Sequence, residues 1–177
     1  MNLSLRSASK YDKKSKRRVT AIYFLLFVLI LSAKIAPREI ISHRFSPYMD
    51  QYLAATETSS DGDVYIQGKA VVIDAYKNKL DLAHFSLNKD RFASKPEEAS
   101  TIILLYRSLN NAGRYTSGGE AWMEKCIYSI IDAKAGRIIH QGEFHSEAVP
   151  YSTYNYSESR YINYNEVIDY FNDLKIK

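Results

Sequence analysis

Thr101-Ile102-Ile103-Leu104-Leu105-Tyr106 is an unbroken apolar run of strand length, and it reads as the central strand of a sheet. On its N-terminal side, Ser94-Lys95-Pro96-Glu97 fits a capping box that opens a short helical turn through Ala99. Further upstream, residues 69–76 (KAVVIDAY) are rich in β-branched side chains. Lys77-Asn78-Lys79 follows as a turn, and residues 80–87 (LDLAHFSL) alternate as a partner strand. On the C-terminal side, Asn110-Asn111-Ala112-Gly113 and Gly118-Gly119 read as turns. Residues 122–131 (WMEKCIYSII) form another strand, residues 132–136 (DAKAG) turn it back, and residues 137–144 return beside it. Asn163 and Glu166 make a second N-terminal box, and Val167, Ile168, Phe171 and Leu174 share one face of a helix over about 164–175. The expected fold class is α+β: an antiparallel sheet of about five strands with a C-terminal helix, preceded by one N-terminal transmembrane helix.

The transmembrane expectation comes from residues 19–33 (VTAIYFLLFVLILSA), which carry no charge, no Gly and no Pro. Ten of them are Val, Ile, Leu or Phe, together worth about −3 to −6 kcal/mol of insertion free energy. Lys34 interrupts the run and Pro37 ends the helix. A span of 18 residues, 19–36, reaches about 27 Å, a little short of the hydrocarbon core, and Lys34 can snorkel to the interface. The basic-then-apolar layout is shared with a cleaved signal peptide. The best cut would follow Ala33, but Leu31 is large for that position, and a cut after Ala36 would leave Pro37 first.

Charge sets the orientation. Residues 1–18 hold seven Lys or Arg and a single acid, Asp12, whereas the rest of the chain is slightly acidic. By the positive-inside rule the N-terminus stays cytoplasmic and the C-terminal part is exported. The chain then divides into a basic cytoplasmic tail (1–18), a signal anchor (19–36), a linker (37–63) with a short amphipathic helix over 48–56, and an extracytoplasmic domain (64–177). The tail accounts for the high isoelectric point, so no nucleic-acid partner is expected. One cysteine, Cys126, excludes an intrachain disulfide and any Cys/His zinc pattern.

Several stretches together resemble an uncharacterised family of small membrane-anchored or secreted extracytoplasmic domains. They are Gly68-Lys69-Ala70-Val71-Val72-Ile73-Asp74, Pro96-Glu97-Glu98 before residues 101–105, Gly113-Arg114-Tyr115-Thr116-Ser117-Gly118, Cys126 within a strand ending Ile131-Asp132, and the closing helix. The resemblance implies a single α+β module after a signal or anchor, and no activity. The Gly-x-x-Pro-Pro stretch usual in that family stands here as His145-Ser146-Glu147-Ala148-Val149-Pro150.

The candidate site residues fall into three sets. His140, Glu143 and His145, with Glu147 nearby, are the densest group of metal-ligating side chains. On a strand, Glu143 and His145 share a face and His140 points away, and the same residues equally suit a solvated edge. Arg114 and Tyr115 lie in a Gly-flanked turn whose backbone N–H groups suit an anion, although no P-loop follows; a plain hairpin turn explains it as well. Tyr151, Tyr154 and Tyr156 belong to a Tyr-rich stretch suited to a recognition surface, or to a loop laid over the sheet. Glu97 and Glu98 suit a first helical turn. Asp81 and His84 are three apart and would face opposite ways on a regular strand.

No catalytic set is recognisable and no cofactor is called for. The expected function is a membrane-tethered, non-catalytic binding or envelope-associated module. Its partners are the membrane, through 19–36, and another envelope protein or a glycan. The alternative is a small envelope enzyme, such as a metal-dependent hydrolase, which would require His84, His140, His145 and an acid to converge.

Overall fold

The computed structural model describes residues 20, 22–25, 27, 37–54, 57–58, 64–115, 118–147 and 158–177. The chain divides into two units, Met1–Ile40 and Ile41–Lys177. In the first, residues 20, 22–25, 27 and 37–40 are helical. Among the described residues no helix is long and apolar enough to cross a membrane. The tail expected at 1–18, and most of the span expected at 19–36, lie outside them.

The second unit is α+β and is built on a seven-stranded mixed sheet. Its strands run in the order β1 (Glu57–Thr58), β7 (Arg137–His145), β6 (Glu120–Asp132), β5 (Ala99–Arg114), β3 (Lys69–Asp74) and β4 (Lys79–Leu80). The seventh, β8 (Glu158–Arg160), pairs with the start of β6, on Ala121–Met123. A separate two-stranded sheet joins β2 (Tyr65–Ile66) to β9 (Lys175–Ile176). The α-helices of this unit include α1 (Met49–Leu53) and the C-terminal α2 (Tyr164–Asp173).

The sheet is not purely antiparallel, and it has more strands than the sequence suggests. β5–β6, β6–β7 and β3–β4 are antiparallel, whereas β3–β5, β1–β7 and β6–β8 are parallel. The cause lies in residues 80–87, expected to be a strand. Strand β4 stops after two residues because the Asp81 carboxylate accepts the Ala83 N–H at 2.8 Å. That cap turns the chain into a 3₁₀ helix, Leu82–Ser86, so the β3–β4 hairpin is two pairs long and the chain continues into a crossover to β5. A second 3₁₀ turn, Pro96–Glu98, delivers the chain to β5. Here the acid that reaches back to Ser94 is Glu98, at 3.0 Å from Ser94 N, and not Glu97.

The run 101–106 is central, as its composition requires. Alternate residues of the inner strands feed two cores. Val71, Ile73, Ile102, Leu104, Ile131 and Ile138 pack on one face with Phe45, Met49 and Tyr52. Ala70, Val72, Ile103, Leu105, Cys126, Tyr128 and Ile130 pack on the other with Val167, Ile168 and Phe171 of α2. Each such buried side chain stabilises the fold by about 1.5–3 kcal/mol. Phe45, Met49 and Tyr52 come from the stretch read as linker, as does β1, which pairs with Arg137 and Ile138 of β7.

Helix α2 begins where the Asn163 side chain accepts the Asn165 N–H at 3.1 Å. Its last turn is tied down by Arg91, whose Nη1 donates to the Phe171 carbonyl at 3.1 Å. The expected turn at 110–113 is part of β5 instead. Asn111 pairs with Trp122 and Gly113 with Ala121, so Ala112 forms a bulge. The reversal comes later, where Tyr115 N donates to the Gly119 carbonyl at 2.8 Å.

Candidate functional site

Among the described residues, a set of charged, largely buried side chains surrounds Arg107 on β5. The alternation that buries Ile103 and Leu105 on the α2 face puts Arg107 on that face too. Its guanidinium lies 4.8 Å from the centroid of the Tyr164 ring, at the first residue of α2. Nη2 is 3.7 Å from the Asp81 carboxylate and Nη1 is 3.8 Å from Glu124 on β6. The Tyr164 hydroxyl donates to Asp81, which also accepts the Ala83 N–H. Glu124 accepts the Ile162 N–H at 2.9 Å, from the segment just before α2. Nε and Nη2 of Arg107 are buried and have no hydrogen-bond partner among the described residues.

Electrostatics in this cluster favour holding over reacting. Burial raises the Tyr164 pKa, and its hydrogen bond to Asp81 raises it further, so the phenol keeps its proton. Cys126 faces Arg107 across the β5–β6 ladder, but burial pushes its thiol up to about 11, far from a thiolate at neutral pH. Both carboxylates already accept backbone N–H groups. The arrangement gathers the start of the crossover, two strands and the entry to α2 around one cation.

The sequence candidates fall elsewhere. Glu143 and His145 share the exposed face of β7, with His145 Nε2 and a Glu143 oxygen 2.8 Å apart. Lys125 Nζ sits 2.5 Å from the other Glu143 oxygen. The hydrogen bonds from Lys125 and His145 hold the Glu143 carboxyl down to about 2. His140 is not with them: alternation along β7 puts it with Gly142 and Phe144 on the α2 face, where its ring lies 5.9 Å from Tyr128. Among the described residues no three His, Cys, Asp or Glu side chains are grouped to hold a metal ion.

His84 is fully buried against the rings of Phe45, Phe85 and Phe92, at 5.6, 5.1 and 4.7 Å. Neither ring nitrogen has a hydrogen-bond partner among the described residues, and burial lowers its pKa to about 4. The Ala93 backbone opposes that shift. His84, His140 and His145 thus have separate surroundings.

No family model, no curated protein and no solved structure matches this chain. The resemblance read from residues 68–74 and their companion motifs therefore rests on those motifs.

In the Gly-flanked turn, Arg114 is exposed and lies 3.5 Å from the Glu120 carboxylate, so its charge is already opposed. Tyr115 is buried, with a hydroxyl that has no hydrogen-bond partner among the described residues. Thr116, Ser117, Tyr151, Tyr154 and Tyr156 lie outside the described residues. Sequence reading missed Arg107 and Glu124, and weighed Asp81 only beside His84, with which it shares no strand face. The tie between Asp81 and Tyr164 spans 83 residues of sequence, so no local pattern carries it.

Proposed function

We propose that this chain is a single-pass, membrane-tethered module whose α+β domain works outside the cytoplasm as a non-catalytic binding or envelope-associated unit. The observation that carries the reading is the exposure of apolar side chains on the helical residues 22–25 and 27. Ile22, Tyr23, Phe24, Leu25 and Phe27 are each 56–69% exposed. Four consecutive positions sweep most of a helix circumference, and a helix apolar all round needs an apolar medium. The uncharged run 19–33 continues that character, and the basic residues before it favour a cytoplasmic N-terminus. The non-catalytic reading is supported by the described side chains: the charged groups around Arg107 are engaged with one another, and His84, His140 and His145 have separate surroundings.

A topology reporter fused after Lys177, read together with the mass of the chain recovered from membranes, tests the proposal. Reporter activity on the extracytoplasmic side and an uncleaved chain of 20.3 kDa are expected. Cytoplasmic reporter activity would overturn the orientation, and loss of the first 33 residues would overturn the anchor.

A further inference from the structure

Strand β5 is 16 residues long, but β3 accompanies it only as far as Leu105. The last bond on that side is Ala75 N–H to the Leu105 carbonyl, at 3.0 Å. Because N–H and C=O of alternate residues point to the same side of a strand, those of Arg107 and Leu109 point to the side that β3 has left, and so do those of Asn111. β6 fills the opposite side through this whole stretch. Among the described residues nothing pairs with the vacated side. The free edge is bounded by the departure of β3 at one end. At the other end lies the bulge at Ala112, where the Asn111 side chain takes the Gly113 N–H at 2.7 Å.

Free edges ordinarily carry charges or Pro that block pairing. Residues 108–113 (Ser-Leu-Asn-Asn-Ala-Gly) carry neither, and Leu109 at their start is 47% exposed. We propose that this edge pairs antiparallel with the same edge of a second copy of the chain, with Leu109 on the two-fold axis. Centring on Leu109 places Arg107 opposite Asn111 of the second copy, and Ser108 opposite its Asn110. A centre at Arg107 would set two like charges against each other, and a centre at Asn111 would run into the bulge. The Leu109 register joins the outward backbone groups of three residues in each copy, opposes no like charges, and covers the exposed Leu109 side chains with each other. Such a contact is isologous and closes at two chains.

The mass of the full-length protein in mild detergent, measured by sedimentation, tests the pairing. Wild type should sediment at twice the 20.3 kDa of one chain. Leu109→Lys, which sets two ammonium groups on the axis, should sediment as a single chain and still melt cooperatively. A second test fixes the register without weakening the edge. Ser108→Cys and Asn110→Cys proteins, mixed and oxidised, should form a disulfide-linked pair faster than either variant alone; native Cys126 is buried and adds little background. A single-chain mass for the wild type at every concentration would overturn the proposal, as would a Leu109→Lys protein that stays double. Equal cross-linking by either cysteine variant alone would overturn the register. Recovery of the Asn110→Cys protein joined mainly to a different protein would replace the second copy by that partner.

Discussion

Tyr128 lies flat across Gly142, its direct partner on the neighbouring strand β7. A Cβ at position 142 would meet Tyr128 Cζ at 2.5 Å and Cε1 at 2.8 Å. The ring cannot swing away cheaply. Its hydroxyl donates to Tyr170 Oη at 2.6 Å, and Phe144 and Phe171 flank it at 5.0 and 5.5 Å between centroids. Gly142→Ala should therefore cost about 1–3 kcal/mol in chemical denaturation, the usual range for overpacking a core. In a Tyr128→Ala background the same change should cost much less, so the two variants should be strongly non-additive. Additive losses would show that the ring does not occupy the glycine's space.

His84 gives the domain an acid-sensitive element whose sign can be worked out. Its folded pKa of about 4 lies below the usual 6.5, because burial disfavours the charged ring. Above pH 6.5 the ring is neutral in both the folded and the unfolded chain, and it adds no pH dependence. Between 6.5 and 4 the unfolded chain binds the proton first, so stability falls as pH falls, by about 3 kcal/mol over the window. His84→Leu should flatten that part of the pH-stability profile. Urea melts at pH 7 and pH 4.5 on both proteins measure it; an equal acid loss in the variant would remove His84 as the cause.

A fragment that starts at Ile41 should fold, and one that starts after Ser60 should not. Phe45, Met49 and Tyr52 are buried against the sheet, and their loss forfeits roughly 5 kcal/mol or more of burial. That is comparable to the whole net stability of a typical domain. It would also uncover His84, whose ring packs on Phe45. Cooperative melting of the shorter fragment, with a midpoint near that of the longer one, would contradict this.

How much of this could be read from the sequence depends on how local each cause is. The run 101–105, the β6–β7 hairpin and α2 are set by composition and spacing within one segment, and they were legible. The β6–β7 turn announces itself in Asp132, whose carboxylate accepts the Lys134 and Ala135 N–H groups, and in Gly136 at φ 64°. The parallel pairing of β3 with β5 was not legible, because it depends on one cap: Asp81 turns the chain out of an alternating pattern that otherwise suits a strand. Phe45, Met49 and Tyr52 were hidden by their position among polar neighbours, since only the sheet they cover shows what they are for. The Arg107 cluster was hidden for the same reason, its members being brought together by topology alone.

That cluster makes the last prediction. If Arg107, Asp81, Glu124 and Tyr164 join the crossover to the entry of α2, their loss should register as stability. Arg107→Leu leaves two carboxylates, each about nine-tenths buried, without their cation. A loss of about 3 kcal/mol is expected, the low end for breaking a buried pair, because the ion contacts of 3.7 and 3.8 Å are long. Arg107→Lys should recover only part of it, since an ammonium keeps the charge but not the planar stacking over Tyr164. Tyr164→Phe removes a hydrogen bond to a charged acceptor and should cost about 2 kcal/mol. Paired with Asp81→Asn, that cost should shrink, because the acceptor is then neutral. Hydrogen exchange gives the location: the amide of Ile162, held by Glu124, should lose protection first in Glu124→Ala, which removes its acceptor. Full lysine rescue, or unchanged protection at Ile162, would mean that the cluster is not the joint between the sheet and α2.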